Sequence, residues 1–108
     1  ASSAVIEDGV ILLPYSIVSA NAFVSKGACV NVHCSVGHDA RVGQYCTLAS
    51  HVDLMGRAAI GDRVFLGSGS RVLPKIVVEN DATIGAGGIV MRRVRAATTV
   101  YGLGAKKL

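Results

Sequence analysis

Beginning at Ile6 and stepping by six, the chain reads Ile6, Leu12, Val18, Val24, Val30, Val36, Val42, Leu48, Leu54, Ile60, Leu66, Val72, Val78, Ile84 and Val90. These fifteen positions hold only isoleucine, leucine or valine, with no insertion or deletion between them. Four residues after each comes a second series, from Val10, Ser16, Ala22, Ala28 and Cys34 through to Gly88 and Val94, and every member is small or aliphatic. Glycine often follows the leading aliphatic, as at Gly37, Gly43, Gly61, Gly67 and Gly85.

A period of six is not helical. Apolar positions at i, i+4, i+6 and i+10 fit the even alternation of extended chain, and the Gly, Asn and Asp residues between them suit bends. Each hexapeptide therefore reads as a short strand plus a turn. One such strand cannot bury its apolar face alone, whereas stacked coils can, which is the logic of a solenoid. The small i+4 residues suit a tight inner corner and the larger i residues fill the rest of the interior.

Composition agrees. Hydrophobic residues make up 51% and charged residues 17% of the 108, enough for a core in one domain. Aromatic residues are 5% and tryptophan is absent, so the interior rests on Val, Ile, Ala and Gly. No apolar run is long enough to span a bilayer, and ASSAVIEDGV lacks the basic start and apolar run of a signal peptide. The three cysteines, Cys29, Cys34 and Cys46, are odd in number and match no zinc spacing, which predicts reduced thiols and a cytoplasmic setting. Net charge is +4, with Arg92, Arg93, Arg95, Lys106 and Lys107 crowded near the C-terminus. That cluster suits a phosphate-bearing ligand or forms a solvated tail.

The segment SVGHDARVG, residues 35–43, sets His38 and Asp39 among small and branched residues. His38 belongs to neither inward series, so it points outward. With three hexapeptides to a coil, Ala20 and Gly56 lie eighteen residues either side of it, leaving room beside the ring. A second column, Ser50, Ser68 and Ala86, makes a strip of small residues where an extended ligand can approach backbone, or where tight bends are simply accommodated.

The pattern [LIV]-Gly-x-x-small-x resembles that of the hexapeptide-repeat acyltransferases over residues 6–95. The resemblance implies an all-β fold, a single-stranded left-handed parallel β-helix of about five triangular coils. It places the β-helix domain at 1–95 and a short C-terminal tail at 96–108. Left-handedness comes from the resemblance alone, since crossover connections are ordinarily right-handed. VGHDARVG is similar to the Val-x-His-Asp-x-x-Ile-Gly signature of the sialic-acid O-acetyltransferase and nucleotide-amino-sugar N-acetyltransferase branch, and TTVYGLGAKK to its closing Val-x-Gly-x-Pro-Ala-Lys. The resemblance implies direct transfer from acetyl-CoA to an amine or hydroxyl of a sugar or nucleotide sugar. In it His38 is the general base and Asp39 the residue that raises its basicity. It implies cofactor contacts at Thr47, Gly56, Ser68 and Ala86, many through backbone, and a homotrimer with acetyl-CoA between subunits. Neither nucleic acid, nor a membrane span, nor a metal enters it.

The chemistry stands on its own terms, because acyl transfer needs a proton removed as the nucleophile attacks, and imidazole, with a reference pKa of about 6.5, suits that at neutral pH. Adjacent side chains in a flat strand point apart, so Asp39 reaches His38 only if a bend lies there. No Ser or Cys sits in a nucleophile motif.

Three departures from the family pattern stand out. Thr47 occupies the position of a frequent second histidine, Gly104 replaces a usual proline, and the chain opens directly in repeats where relatives carry an N-terminal Rossmann-like domain. Absence of that domain means either a piece of a longer protein or a stand-alone β-helix with a different acceptor. Two other readings remain open at this level. One is a non-catalytic β-helix scaffold. The other is a zinc lyase resembling the γ-class carbonic anhydrases, using His33 and His38, for which the third ligand position lies off the chain and His51 is no simple substitute.

Overall fold

A computed structural model describes residues 2–102. They form a left-handed parallel β-helix of three flat faces with no helix. The first face stacks Val5–Ile6, Phe23–Val24, Arg41–Val42, Ala59–Ile60 and Val77–Val78. The second stacks Ile11–Leu12, Cys29–Val30, Thr47–Leu48, Phe65–Leu66, Thr83–Ile84 and Thr99–Val100. The third stacks Ile17–Val18, Ser35–Val36, Asp53–Leu54, Arg71–Val72 and Ile89–Val90. Every pairing is parallel, and up to Ile89–Val90 each residue sits over the one eighteen before it, as Val36 does under Leu54.

The two apolar series supply the core. Val24, Val30, Val36, Val42, Leu48, Leu54 and Leu66 are fully buried, and so are Ala22, Ala28, Cys34, Ala40, Cys46 and Ala58 from the small series. At roughly 25 cal/mol per Å² of apolar surface removed from water, this two-residue repeat is what holds the coils together.

Between strands the chain turns a corner in the same way each time. Every sixth residue from Gly9 to Gly87 has positive φ, whatever its type. The cause is visible in the hydrogen bonds: this conformation swings the peptide N–H along the axis onto a carbonyl of the preceding coil. Asp39 N–H thus reaches Ala20 O at 3.0 Å, and Arg57 N–H reaches His38 O at 2.9 Å. The corners are satisfied like the strands, so the tube leaves few main-chain groups unpaired along its length.

The last coil departs from the sequence pattern. Val94 bridges Val78 and Thr99–Val100 pairs with Thr83–Ile84, a repeat of sixteen residues where every earlier coil has eighteen. The corner formed by Met91, Arg92 and Arg93 is two residues short, and the next positive φ falls at Ala97. The six-residue spacing to Val94 is thus met in sequence but not in register. The strand Thr99–Val100 also carries the second face beyond residue 95, into the segment expected as a tail.

Candidate active site

His38 and Asp39 occupy the corner where the third face, ending at Val36, gives way to the first, beginning at Arg41. The turn runs Gly37-His38-Asp39-Ala40 and is closed by Ala40 N–H to Gly37 O at 3.1 Å. Asp39 has φ of 58° and His38 is not left-handed, the arrangement of a type II turn. Here is the bend that lets neighbouring side chains meet. His38 Nδ1 lies 3.1 Å from Asp39 Oδ2, and the two side chains are 63% and 43% exposed.

A carboxylate only accepts, so the hydrogen of this bond belongs to Nδ1 and the lone pair is left on Nε2. Nε2 faces Gly56, one coil further on: a Cβ placed on Gly56 would run into the imidazole at Nε2, Cε1 and Cδ2. Gly56 is therefore the platform over which the ring lies. Gly37 is bare for another reason, since a Cβ there would press on Leu54 O and Gly56 N, backbone of the next coil, at 2.7 and 2.8 Å.

The remaining expected residues fall elsewhere. Thr47 begins a strand of the second face, in register with Cys29 and Phe65. Ser68 and Ala86 line the edge between the second and third faces, where Ser50 Oγ and Ser68 Oγ are 3.3 Å apart. On that edge a Cβ added to Gly69 or Gly87 would meet nothing within 4 Å, so the ground beside Ser68 and Ala86 is open to an extended molecule. The whole width of the third face separates this edge from His38. One chain unites His38, Asp39 and Gly56 and holds Ser68 and Ala86 one corner away. Lys106 and Lys107, expected toward phosphates, and Gly104 lie outside the described residues.

His33 stacks between Tyr15 and His51, with ring centroids 5.1 and 4.9 Å apart, on the Ser68 edge and away from His38. Among the described residues no three His, Cys, Asp or Glu side chains converge to hold a metal.

Two of the three cysteines, Cys34 and Cys46, are turned inward, and Cys29 is half-buried. Cys34 Sγ donates to Ala49 O and Cys46 Sγ to Gly61 O, each at 2.9 Å. Burial raises both thiols, Cys46 to about 11, so neither supplies a thiolate for an acyl-enzyme near neutral pH. Iodoacetamide at pH 8 is expected to leave Cys34 and Cys46 unmodified in the folded protein and to alkylate both in denaturant, read by peptide mass spectrometry. Labelling of either in the native state would contradict the burial.

Sequence reasoning missed Arg57 and Lys75. They stand at the two positions eighteen and thirty-six residues beyond Asp39, on its own edge. Read one hexapeptide at a time they are turn residues. Extending the Asp39 column by one coil and then another was the signal that finds them.

No family model matches the chain. Curated relatives do. The chain is 32% identical over 82 residues to GDP-perosamine N-acetyltransferase of Escherichia coli O157:H7, covering 76% of this chain and 37% of that protein. It is 29% identical over 99 residues to serine acetyltransferase of Mycobacterium tuberculosis, covering 88% of this chain and 43% of that protein. Among solved structures it resembles PerB of Caulobacter crescentus, determined in complex with CoA and GDP-perosamine. The TM-score is 0.81 at 32% identity, over 96% of this chain and 53% of that one. The chain spans less than half the length of these curated relatives. An unbroken hexapeptide rhythm, a three-faced parallel coil and these likenesses together make the chain similar to the hexapeptide-repeat β-helix acyltransferases.

Proposed function

We propose that this domain transfers an acetyl group from acetyl-CoA directly to an amine or hydroxyl of a sugar or nucleotide sugar, with His38 as general base and Asp39 as its orienting carboxylate. The observation that carries the reading is the His38–Asp39 pair: Nδ1 held at 3.1 Å, Nε2 left with a free lone pair, and bare Gly56 beside it on an exposed edge. The likeness to a β-helix enzyme solved with CoA and GDP-perosamine supports the choice of donor and acceptor class.

Acetyl-CoA supplies the activated acyl group as a thioester. Nε2 of His38 takes the proton from the acceptor amine or hydroxyl as that atom attacks the carbonyl carbon. Asp39 stabilises the imidazolium so formed and keeps the ring in one tautomer. The imidazolium then returns the proton to the departing sulfur, so His38 ends the cycle as it began.

Gly56 belongs beside the reacting end of the donor, and Thr47, Ser68 and Ala86 along its extended arm. These last three lie away from the His38 edge within one chain. A second copy must therefore bring its Ser68 edge against the His38 edge of the first, which is what a closed ring of three copies achieves, each edge used once.

The experiment is an acetyl-transfer assay, following CoA release against a panel of amino sugars and nucleotide sugars. Turnover with at least one member, abolished by omitting the acceptor, is the expected result. No acetyl-CoA binding and no release with any acceptor would leave a scaffold as the better reading.

A further inference from the structure

The three edges of the prism carry outward residues of different kinds. On the edge from first to second face, side chains serve the backbone: Glu7 accepts from Lys26 N–H, Asp62 from Gln44 N–H, and Asn80 from Asp62 N–H, at 3.0, 2.8 and 2.7 Å. At the left-handed positions of that edge the cation, Arg63, is matched by Asp81 through bonds of 2.7 and 3.1 Å, and Lys26 also lies on this edge. The edge from second to third face carries the stacked Tyr15, His33 and His51 and then small residues.

The His38 edge differs from both. Past Asp39 its left-handed positions hold Arg57 and Lys75, with φ of 62° and 66°, and the shortened corner beyond adds Arg92 and Arg93. A long side chain at such a φ costs more than glycine or asparagine would. Arg63 recovers that cost through Asp81. Among the described residues Arg57, Lys75 and Arg92 have no carboxylate within ion-pair distance. Asp39 is turned onto His38, and Glu79 is engaged by Arg93 at 2.6 Å and Arg95 at 3.7 Å. Asp53, on the adjoining third face, is the ladder neighbour of Arg71 and makes no ion pair among the described residues.

The result is a row of uncompensated cations beginning one coil from His38 and repeating at the inter-strand spacing of about 4.8 Å. Like charges so placed repel one another in the absence of a counter-ion. A diphosphate matches them, because it offers two linked anionic groups that can meet two successive rungs through charge-assisted hydrogen bonds.

We propose that Arg57 and Lys75, with Arg92 beyond them, bind the diphosphate of the substrate whose reacting end lies at His38. This rests on the acetyl-transfer reading for what His38 does, but the binding itself does not require turnover. Both CoA and a nucleotide sugar carry a diphosphate, and the shared group is what the row recognises.

The test is calorimetric titration with inorganic pyrophosphate at low ionic strength, where surface charges are least screened. The Arg57→Gln/Lys75→Gln double variant is expected to bind pyrophosphate about tenfold more weakly or worse, the loss of one to two charge-assisted contacts. Arg63→Gln, a charge change on another edge, is expected to bind as the wild type does. His38→Gln is expected to retain pyrophosphate affinity while losing transfer, which separates failure of the acetyl-transfer reading from failure of this one. In the transfer assay the double variant raises KM with little change in kcat. A rise confined to acetyl-CoA assigns the row to the donor, and a rise confined to the nucleotide sugar assigns it to the acceptor; either supports the proposal. Undetectable pyrophosphate binding by the wild type, unchanged affinity in the double variant, or an equal loss in Arg63→Gln would overturn it.

Discussion

Replacing His38 with glutamine is expected to lower acetyl transfer by roughly a hundred- to ten-thousand-fold, the usual contribution of a positioned general base. The fold has little stake in the side chain. It is 63% exposed, and among the described residues its one polar partner is the neighbouring Asp39. What the coil takes from residue 38 is its carbonyl, which accepts from Arg57 N–H at 2.9 Å and is present in any amino acid. Glutamine fills similar space but cannot take a proton at neutral pH. The loss is expected in kcat, with the thermal midpoint and the assembly state unchanged. An unaltered rate would remove His38 from the reaction.

The second large effect separates two glycines of the same site. Gly56→Ala puts a methyl group where the His38 ring lies, and the ring can swing aside because it ends a flexible side chain. Stability is expected to move by less than about 0.5 kcal/mol, because the half-buried Gly56 meets no backbone or core atom that the methyl group would displace. Activity is expected to fall about a hundredfold, since displacement of a catalytic group by an ångström costs that much. Gly37→Ala meets backbone instead, Leu54 O and Gly56 N of the next coil, neither of which can yield without parting the sheet. It is expected to cost about 1–3 kcal/mol, the range for overpacking, and to lower activity as well. Thermal melts and initial rates on both variants distinguish the cases. A destabilised Gly56→Ala with full activity would mean that the ring does not lie over that residue.

Much of this was legible in the residues because the repeat is local. An aliphatic every sixth residue and a small one four later specify strand, corner and stacking at once, and Val36 does lie beneath Leu54 as the eighteen-residue period requires. The outward aim of His38 and the bareness of Gly56 followed from the same counting. The final coil escaped it: Val94 continues the spacing of the small series, yet it pairs with Val78, because the chain cuts the corner at Met91–Arg93. Nothing in residue type marks that shortening, since valine suits either inward position. The left-handed φ at Arg57 and Lys75 was equally silent, for arginine and lysine carry no preference that announces it. The bond between His38 and Asp39 needed coordinates too, since only the turn geometry brings adjacent side chains together.

A crystal structure of the protein with CoA bound tests the proposed chemistry most directly. The sulfur is expected at the edge between third and first faces, beside Gly56 and within reach of an acceptor atom hydrogen-bonded to His38 Nε2. The pantetheine arm is expected to run against Ser68 and Ala86 of a neighbouring copy. CoA seated with its sulfur remote from His38, or on a face that leaves this edge bare, would contradict it.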